Sequence, residues 1–112
     1  MKLPENAVLL RIFIGETDKY KGKLLYETII KQARKLNMAG ATVFRGIMGF
    51  GANSRIHTSK MLRLSEDVPM VIEIVDKEER INQLLPFLEE AVKDGLITLE
   101  PVKIISYKHN NG

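Results

Sequence analysis

The 112-residue chain contains no cysteine and only two histidines. Without thiols, disulfide bonds, thiolate catalysis and zinc sites built on sulfur are excluded. Any metal ion would depend on His57, His109 or carboxylates, and a lone loop histidine is more often a surface hydrogen-bonding group than a ligand or a base. The sequence therefore predicts no metal site.

Long apolar runs are also missing. The stretches "VLL" and "IFI" near the start are interrupted by Arg11 and ended by Gly15, far short of the roughly 20 apolar residues that a membrane-spanning helix needs. The first residues, "MKLPENAV", lack the apolar segment and cleavage site of a secretory signal. We expect a single domain, residues 1–112, that is cytoplasmic and not inserted into a membrane.

Charge of one sign is not in large excess, because 17 basic residues face 14 acidic ones. The net charge of +3 is too small to indicate nucleic acid as a partner, and it is compatible with binding small anions. Composition limits the partners without identifying one.

Catalytic signatures are absent as well. The chain has no G-x-x-x-x-G-K-[ST] loop and no serine in a nucleophile elbow. Two pairs of carboxylates, Glu16 with Asp18 and Glu66 with Asp67, lie in turn-like segments, where such residues are usually solvated or cap a helix. We therefore expect that the protein is not an enzyme.

Hydrophobic periodicity divides the first half of the chain into strand, helix and strand. Residues 8–14 are apolar and β-branched, which predicts a buried strand. Apolar residues at helical spacing predict an amphipathic helix over residues 23–38, capped by Gly40. Residues 41–48 predict the second strand, and the long loop after it contains a candidate short strand at residues 61–64.

The second half repeats this order of elements. Residues 70–75 predict a strand, and Asp76 with Glu79 resembles an N-cap with its capping-box partner. The helix that follows is expected to close at Gly95, with a kink or a break at its interior proline, Pro86.

The last predicted strand spans residues 96–105. Proline cannot donate to a β-ladder, so Pro101 predicts that this strand lies at a sheet edge or carries a bulge. The resulting order, β-α-β, loop, β-α-β, is that of the ferredoxin-like βαββαβ sandwich, an α+β fold with two helices on one face of an antiparallel sheet.

That fold leaves the other sheet face bare. The strands "VFRGIM" and "MVIEIV" are apolar on both faces, and a large apolar patch is rarely left in water. We expect other copies of the chain to cover it, through contacts that include Phe44 and Ile47.

Glycine is concentrated in one place, with four of the eight glycines between positions 40 and 51. Each costs about 0.5–1 kcal/mol in regular structure, so the cluster predicts backbone that bulges, turns at positive φ, or approaches something closely. Consecutive N–H groups there can form an anion-binding nest. A simple β-bulge and hairpin exit is the alternative.

The segment "GATVFRGIMGFGANSRIH", residues 40–57, is similar to the PII signal-transduction family. In that family the second strand reads G-x-T-V and ends in G-F-G at the base of a long mobile loop that contains a histidine. A second, weaker match is "DGLI", residues 94–97, to the family's D-G-K-I. The matching residues of the first segment are Gly40, Thr42, Val43, Gly49, Phe50, Gly51 and His57.

The whole chain resembles a sister group more closely, the PII-like DUF190 family, through "RIFIGE", "GATVFRGIMGFG", "IH" and "LSEDVPMVIEIVD". This resemblance implies a homotrimer of ferredoxin-like subunits with their sheets facing inward. It also implies adenine-nucleotide sites, for ADP or ATP, in the clefts between subunits, with magnesium as a candidate companion ion. The expected function is signalling through a mobile loop that contacts a protein partner, such as a transporter or an enzyme.

The resemblance to PII also suggests where the nucleotide lies. The adenine is expected near Thr42 and Val43, and the phosphates on N–H groups from Gly49 to Asn53, with Gly95 of a neighbouring subunit closing the cleft. The predicted nucleotide-binding residues are Thr42, Val43, Arg45, Gly46, Gly49, Phe50, Gly51, Asn53 and Gly95.

Arg45 enters this set through a departure from the PII pattern. Leu96 stands where D-G-K-I has a lysine that neutralises phosphate. We assign that role to Arg45, because a guanidinium binds phosphate oxygens by a two-point contact. The alternatives are Lys93, Lys103 of another subunit, or a triphosphate that is held less tightly.

The predicted regulatory loop is the polar segment 52–60. It has almost no apolar anchor, so we expect it to be mobile until a ligand or a partner orders it. Its candidate contact residues, which can donate to phosphate or to an acidic surface, are Asn53, Ser54, Arg55, His57 and Lys60.

Two features of PII lack a counterpart here. The loop glutamine that helps PII bind magnesium and 2-oxoglutarate has only Asn53 as its nearest amide, and no tyrosine lies between Tyr26 and Tyr107. The resemblance therefore implies nucleotide binding, but neither 2-oxoglutarate sensing nor nitrogen regulation.

Two other protein classes share this order of elements. An RRM-like RNA-binding module has its glycine-aromatic motif on the third strand, whereas here it ends the second, and Ala52 and Arg55 replace its stacking aromatics. We therefore expect no nucleic-acid partner. A CutA-like metal-tolerance trimer is the other alternative, although few residues here could bind a metal.

Overall fold

The structure, a computed structural model, describes residues 5–51 and 68–109. Four strands form an antiparallel sheet in the order β4-β5-β1-β6, and β2 pairs with β3 in a separate hairpin. This order confirms the predicted ferredoxin-like fold class. The elements are β1 (Glu5–Gly15), β2 (Lys19–Tyr20), β3 (Lys23–Leu24), α1 (Leu25–Lys35), β4 (Thr42–Arg45), β5 (Pro69–Asp76), α2 (Glu78–Ala91) and β6 (Leu96–Ile104).

One hydrophobic core lies between the sheet and the two helices. Along most of β1 and all of β5, alternate side chains are buried, as expected for strands with one face against a core. These side chains pack against apolar residues of both helices, so α1 and α2 cover the same face, as predicted. The core residues are Leu10, Ile12, Ile14, Met70, Ile72 and Ile74 of the strands, and Leu25, Ile29, Ala33, Ile81, Leu84, Leu88 and Ala91 of the helices.

The opposite sheet face, here called the open face, carries no helix within the described ranges. The Arg11 guanidinium on this face donates to Glu73 (Nε–Oε2 2.8 Å) and to Glu100 (Nη1–Oε1 2.6 Å). The strand register forms an apolar row of Phe44, Val71, Phe13 and Leu96, and beside it a polar row of Thr42, Glu73, Arg11 and Thr98. The prediction that this face is apolar is therefore correct for the first row and wrong for the second.

Helix α1 begins later than predicted. Lys23–Leu24 pairs with Lys19–Tyr20 as a short hairpin, so the helix starts at Leu25. The Leu25 N–H donates to the Asp18 carbonyl (2.8 Å), which fixes the helix start to the preceding loop. Helical periodicity continues into Lys23 and therefore does not reveal the hairpin.

Helix α1 ends in a Schellman motif before it reaches Gly40. Asn37 has φ = 60°, in the left-handed region. Its N–H donates to the Arg34 carbonyl (3.0 Å), and the Met38 N–H donates to the Ala33 carbonyl (3.0 Å), the two bonds that define this motif. The predicted cap at Gly40 is wrong, because asparagine also tolerates left-handed φ and occurs earlier in the chain.

Replacing Asn37 should therefore affect stability through φ. A side chain with a Cβ and no local polar group costs about 1–2 kcal/mol in the left-handed region, so Asn37→Ala is expected to lower the free energy of unfolding by about 1 kcal/mol. Asn37→Gly should not lower it. Urea denaturation at one fixed protein concentration measures both changes, and equal stability of Asn37→Ala and wild type would contradict this account.

The start of helix α2 also differs from the prediction. Asp76 is the last residue of β5, and its buried carboxylate accepts hydrogen bonds from the N–H groups of Lys77 (2.7 Å) and Ala39 (2.9 Å). Lys77 precedes the helix and makes no side-chain cap bond, so the capping box of Asp76 with Glu79 is wrong. Instead, the Asp76 carboxylate links β5 to the segment before β4.

The predictions for Pro86 and Pro101 have different outcomes. Helix α2 runs without a break from Glu78 to Ala91, so the break predicted at Pro86 is wrong. Pro86 and Asn82, whose carbonyl the missing N–H would have bonded, are both exposed, so water can hydrate that carbonyl. Pro101 pairs with Val8 in β6, and β6 is an edge strand, as predicted.

Strand β4 is shorter than the predicted 41–48. It ends at Arg45; the Gly46 N–H still donates to the opposite Pro69 carbonyl (2.7 Å), and the chain bends away at residues 47–48. The predicted strand at 61–64 and the predicted mobile loop at 52–60 lie outside the described residues.

The helices are also relevant to membrane insertion. In the described ranges, α1 has 11 residues and α2 has 14, and neither is long and apolar enough to span a bilayer.

Candidate functional site

The glycine stretch after β4 packs on a single proline ring. A Cβ on Gly46 would lie 2.7 Å from Pro69 Cγ, and one on Gly49 would lie 3.0 Å from the same atom. The chain therefore turns between these glycines, which leaves Ile47 and Met48 exposed at the turn. Of the three explanations for the cluster, close approach applies to these two residues, and the contacted group is Pro69.

The end of the stretch differs from its start. A Cβ on Gly51 would meet no atom within 4 Å, and the neighbouring Phe50 side chain is 72% exposed. No close contact within the described chain requires glycine at position 51. The phosphate contacts predicted for Gly49 to Asn53 stay predictions, and Asn53 lies outside the described residues.

Arg45 lies at the end of β4, directly before the glycine stretch, and forms a two-point ion pair. Its Nε donates to Glu16 Oε2 (2.8 Å) and its Nη2 donates to Glu16 Oε1 (3.2 Å). The Arg45 side chain is 53% exposed and that of Glu16 is 27% exposed. Hydrogen bonding between them lowers the pKa of the Glu16 carboxyl and raises the pKa of Arg45.

Hydrogen bonds also fix the backbone around Glu16. The Glu16 N–H donates to the Val68 carbonyl (2.9 Å), and Asp18 Oδ2 accepts a bond from the Gly15 N–H (2.9 Å). Asp18 therefore closes a turn. The two carboxylates do not form an acid–base pair, because one bonds the backbone and the other bonds Arg45.

Sequence reasoning missed the connection between Glu16 and Arg45. The two residues are 29 positions apart, one in the loop after β1 and the other on β4. No local pattern signals such a contact, which follows from the antiparallel pairing of both strands with β5.

Thr42 and Val43 lie on opposite faces of β4. Val43 is partly buried and packs against the core, whereas Thr42 is exposed on the open face, opposite Glu73. Of these two side chains, a ligand on the open face can therefore contact only that of Thr42. An adenine near both residues would have to lie along the edge of β4.

Gly95 lies at the other edge of the sheet, just before β6. A Cβ there would lie 2.6 Å from the Phe13 carbonyl oxygen, 2.9 Å from Val92 Cγ1 and 3.2 Å from Ile14 Cγ2, so packing on β1 requires glycine. Strands β4 and β6 are separated by β5 and β1, which corresponds to about 14 Å at the usual strand spacing. One subunit therefore does not bring Gly95 to the glycine stretch.

Both edges expose large apolar side chains. Such patches are typical of surfaces that contact another protein. They are Phe44, Ile47, Met48 and Phe50 near β4, and Leu96, Ile97 and Leu99 on β6.

Metal ligands are not grouped in residues 5–51 and 68–109: no cluster of three or more His, Asp or Glu residues could hold an ion there. His109 contacts the Tyr107 ring, with 5.7 Å between ring centroids. The predicted loop residues Arg55, His57 and Lys60 lie outside the described residues.

Solved structures of PII-like proteins share this fold. A putative PII-like signalling protein from Thermus thermophilus aligns with a TM-score of 0.61 at 14% identity, covering 89% of this chain and 90% of that one. CPII, a nitrogen regulatory PII-like protein from Thiomonas intermedia K12 bound to ADP, AMP and bicarbonate, aligns with a TM-score of 0.62 at 18% identity, over 91% of both chains. At these identities the likeness establishes the fold alone.

Sequence relatives are more similar. A UPF0166 protein from Aquifex aeolicus (strain VF5) is 42% identical over 99 residues, which are 87% of this chain and 91% of the relative. A UPF0166 protein from Methanocaldococcus jannaschii is 42% identical over 95 residues, or 84% and 87% of the two chains. The model of the DUF190 family, described as "Uncharacterized ACR", matches residues 7–104. The chain therefore belongs to the DUF190 family, and its fold is PII-like.

Proposed function

We propose that this protein is a non-enzymatic, PII-like regulator that binds ADP or ATP in clefts between the subunits of a homotrimer. The observation that carries the proposal is the division of the predicted site between two sheet edges. The glycine stretch adjoins β4, and Gly95 adjoins β6.

Both halves of this site lie at the same end of the sheet. Pro69, which contacts the glycine stretch, pairs with Gly15 at the end of β1, and Gly95 packs against Phe13 two residues before it. A head-to-tail contact between the β4 edge of one subunit and the β6 edge of the next would bring the halves together. A heterologous contact of this kind closes into a ring of three when each subunit is rotated by one third of a turn from the last, as a trimer requires.

The ligand class follows from the chemistry of the β4 edge. Arg45 supplies a half-exposed guanidinium that suits phosphate oxygens, and Gly51 leaves space for close approach of a ligand. CPII, which shares the fold, binds ADP and AMP, and this supports an adenine nucleotide as the ligand. Magnesium would accompany the phosphates as a companion ion rather than occupy a site of its own.

The regulatory part of the proposal concerns a protein partner. The exposed apolar side chains Ile47, Met48 and Phe50 lie directly before the predicted regulatory loop. Nucleotide binding at their base would change how this surface is presented to a transporter or an enzyme. A pull-down with and without ATP identifies that partner.

Isothermal titration with ATP, ADP, AMP and adenosine tests the proposed site. Arg45→Ala is expected to weaken ATP binding by about 10- to 100-fold, since hydrogen bonds to charged groups contribute about 1.5–3 kcal/mol, and to leave adenosine unchanged. Arg34→Ala, which removes an exposed arginine of α1, is the matched control and should leave ATP binding unchanged. Absence of heat and of thermal stabilisation at millimolar nucleotide, in a trimeric protein, would refute the site.

A further inference from the structure

We propose that Glu16 is a built-in competitor for the phosphate group: its carboxylate occupies the Arg45 guanidinium in the free protein and must be displaced when a nucleotide binds. This inference rests on the proposed function and adds a regulatory residue to the same site. When a nucleotide binds, its phosphate group replaces the Glu16 carboxylate at the Arg45 guanidinium.

The contact geometry supports competition. Both Glu16 oxygens are engaged, by Nε at 2.8 Å and by Nη2 at 3.2 Å, so the carboxylate uses one complete edge of the guanidinium. A phosphate group binds arginine through the same type of two-point contact. Arg45 cannot offer that edge to both anions at once.

A phosphate that binds the remaining edge of the guanidinium would still lie close to Glu16. A phosphate bound there would lie within a few ångströms of the carboxylate, and like charges at that distance repel. The hydrogen bond to Val68 holds the Glu16 backbone in place, whereas Arg45 is a long, half-exposed side chain on an edge strand. Arg45 is therefore the partner that can turn towards a ligand.

This arrangement makes binding depend on the charge of the ligand. A polyphosphate gains more from Arg45 than a monophosphate does, and adenosine gains nothing from displacing Glu16. The carboxylate thus lowers the affinity of every ligand that must displace it and leaves the affinity for adenosine unchanged. It also keeps weakly charged ligands from engaging Arg45.

Removing the Glu16 charge is expected to tighten ATP binding. Exposed ion pairs contribute little, so Glu16→Gln should raise ATP affinity by about two- to fivefold and leave adenosine affinity unchanged. Glu89→Gln, an exposed residue of α2, removes the same net charge away from the site and should have no effect. In an Arg45→Ala background, Glu16→Gln should lose its effect, since the two substitutions act through one contact.

Isothermal titration of these variants shows whether Glu16→Gln raises or lowers the affinity for ATP. If Glu16→Gln weakens ATP binding, Glu16 positions Arg45, and the competition is refuted; unchanged affinity refutes it as well. Should Glu16→Gln misfold, Glu16→Asp shortens the carboxylate by one methylene, and it should tighten ATP binding by a smaller factor. A wild-type protein that binds no nucleotide refutes the proposed function itself, which is a separate outcome.

Discussion

Phe44→Asp is expected to convert the proposed trimer into monomers and to abolish nucleotide binding. The Phe44 side chain is 50% exposed in one subunit and begins the apolar row of the open face. In a trimer whose sheets face inward, each subunit would bury an unpaired carboxylate there, at a cost of several kcal/mol. Binding fails because the glycine stretch and Gly95 then no longer meet.

Light scattering coupled to size-exclusion chromatography measures the change, from about three times the 12.7 kDa chain mass to a single copy. Gln83→Asp adds the same charge on the exposed side of α2 and should leave the trimer intact. A monomeric Phe44→Asp that binds ATP like wild type would place the site within one chain. A trimeric Phe44→Asp would remove the apolar row from the interface.

Gly95→Ala is expected to lower the free energy of unfolding by about 1–3 kcal/mol, the usual cost of overpacking. The new Cβ would lie 2.6 Å from the Phe13 carbonyl oxygen, a backbone atom of the central strand that cannot move without displacing β1. The connection between α2 and β6 must shift instead. Any loss of nucleotide binding in this variant would therefore accompany a loss of stability.

Gly40→Ala is the matched control, because no atom lies within 4 Å of the added Cβ and φ is not positive there. Urea denaturation of both variants should show a change within about 0.5 kcal/mol for Gly40→Ala and a clear loss for Gly95→Ala. If the two variants are equally stable, the contact with β1 does not require glycine at position 95, and the glycine there needs another explanation.

The strands and helices of the core were predictable because their side chains alternate at the period of the element. Along β5 and α2 this periodicity alone gave the buried face. Element ends were less predictable, since they depend on hydrogen bonds that no pattern reveals. Asn37 ended α1 where Gly40 was expected, and the Asp76 carboxylate at the end of β5 bonded the Ala39 N–H in the segment before β4.

The candidate site was predictable only in part. The motif located the glycine stretch, but it did not show that Gly46 and Gly49 pack on Pro69, because that contact joins distant parts of the chain. The pair of Glu16 with Arg45 was hidden for the same reason. Residues brought together by strand pairing carry no common spacing, so only the fold reveals them.

The polar row of the open face bears on the proposed assembly. Arg11 sits between two carboxylates, Glu73 and Glu100, and would be withdrawn from water if three sheets faced one another. Ion pairs in such positions add little net stability, but a broken one is costly. The polar row would therefore disfavour arrangements of the subunits that leave Arg11 without an acidic partner, while the apolar row that begins at Phe44 supplies the apolar contact.

Strand β1 is synthesised before the rest of the sheet, yet it lies in the middle, between β5 and β6. Its partner residues 96–104 emerge from the ribosome roughly 80 positions after Gly15, which takes about 4–16 s at 5–20 residues per second. Leu10 and Ile12 lack both neighbouring strands until β5 is synthesised, and they lack β6 until residues 96–104 emerge. Such long-range pairing forms slowly. Synthesis, rather than the folded state, is therefore the stage at which this chain is most exposed to aggregation.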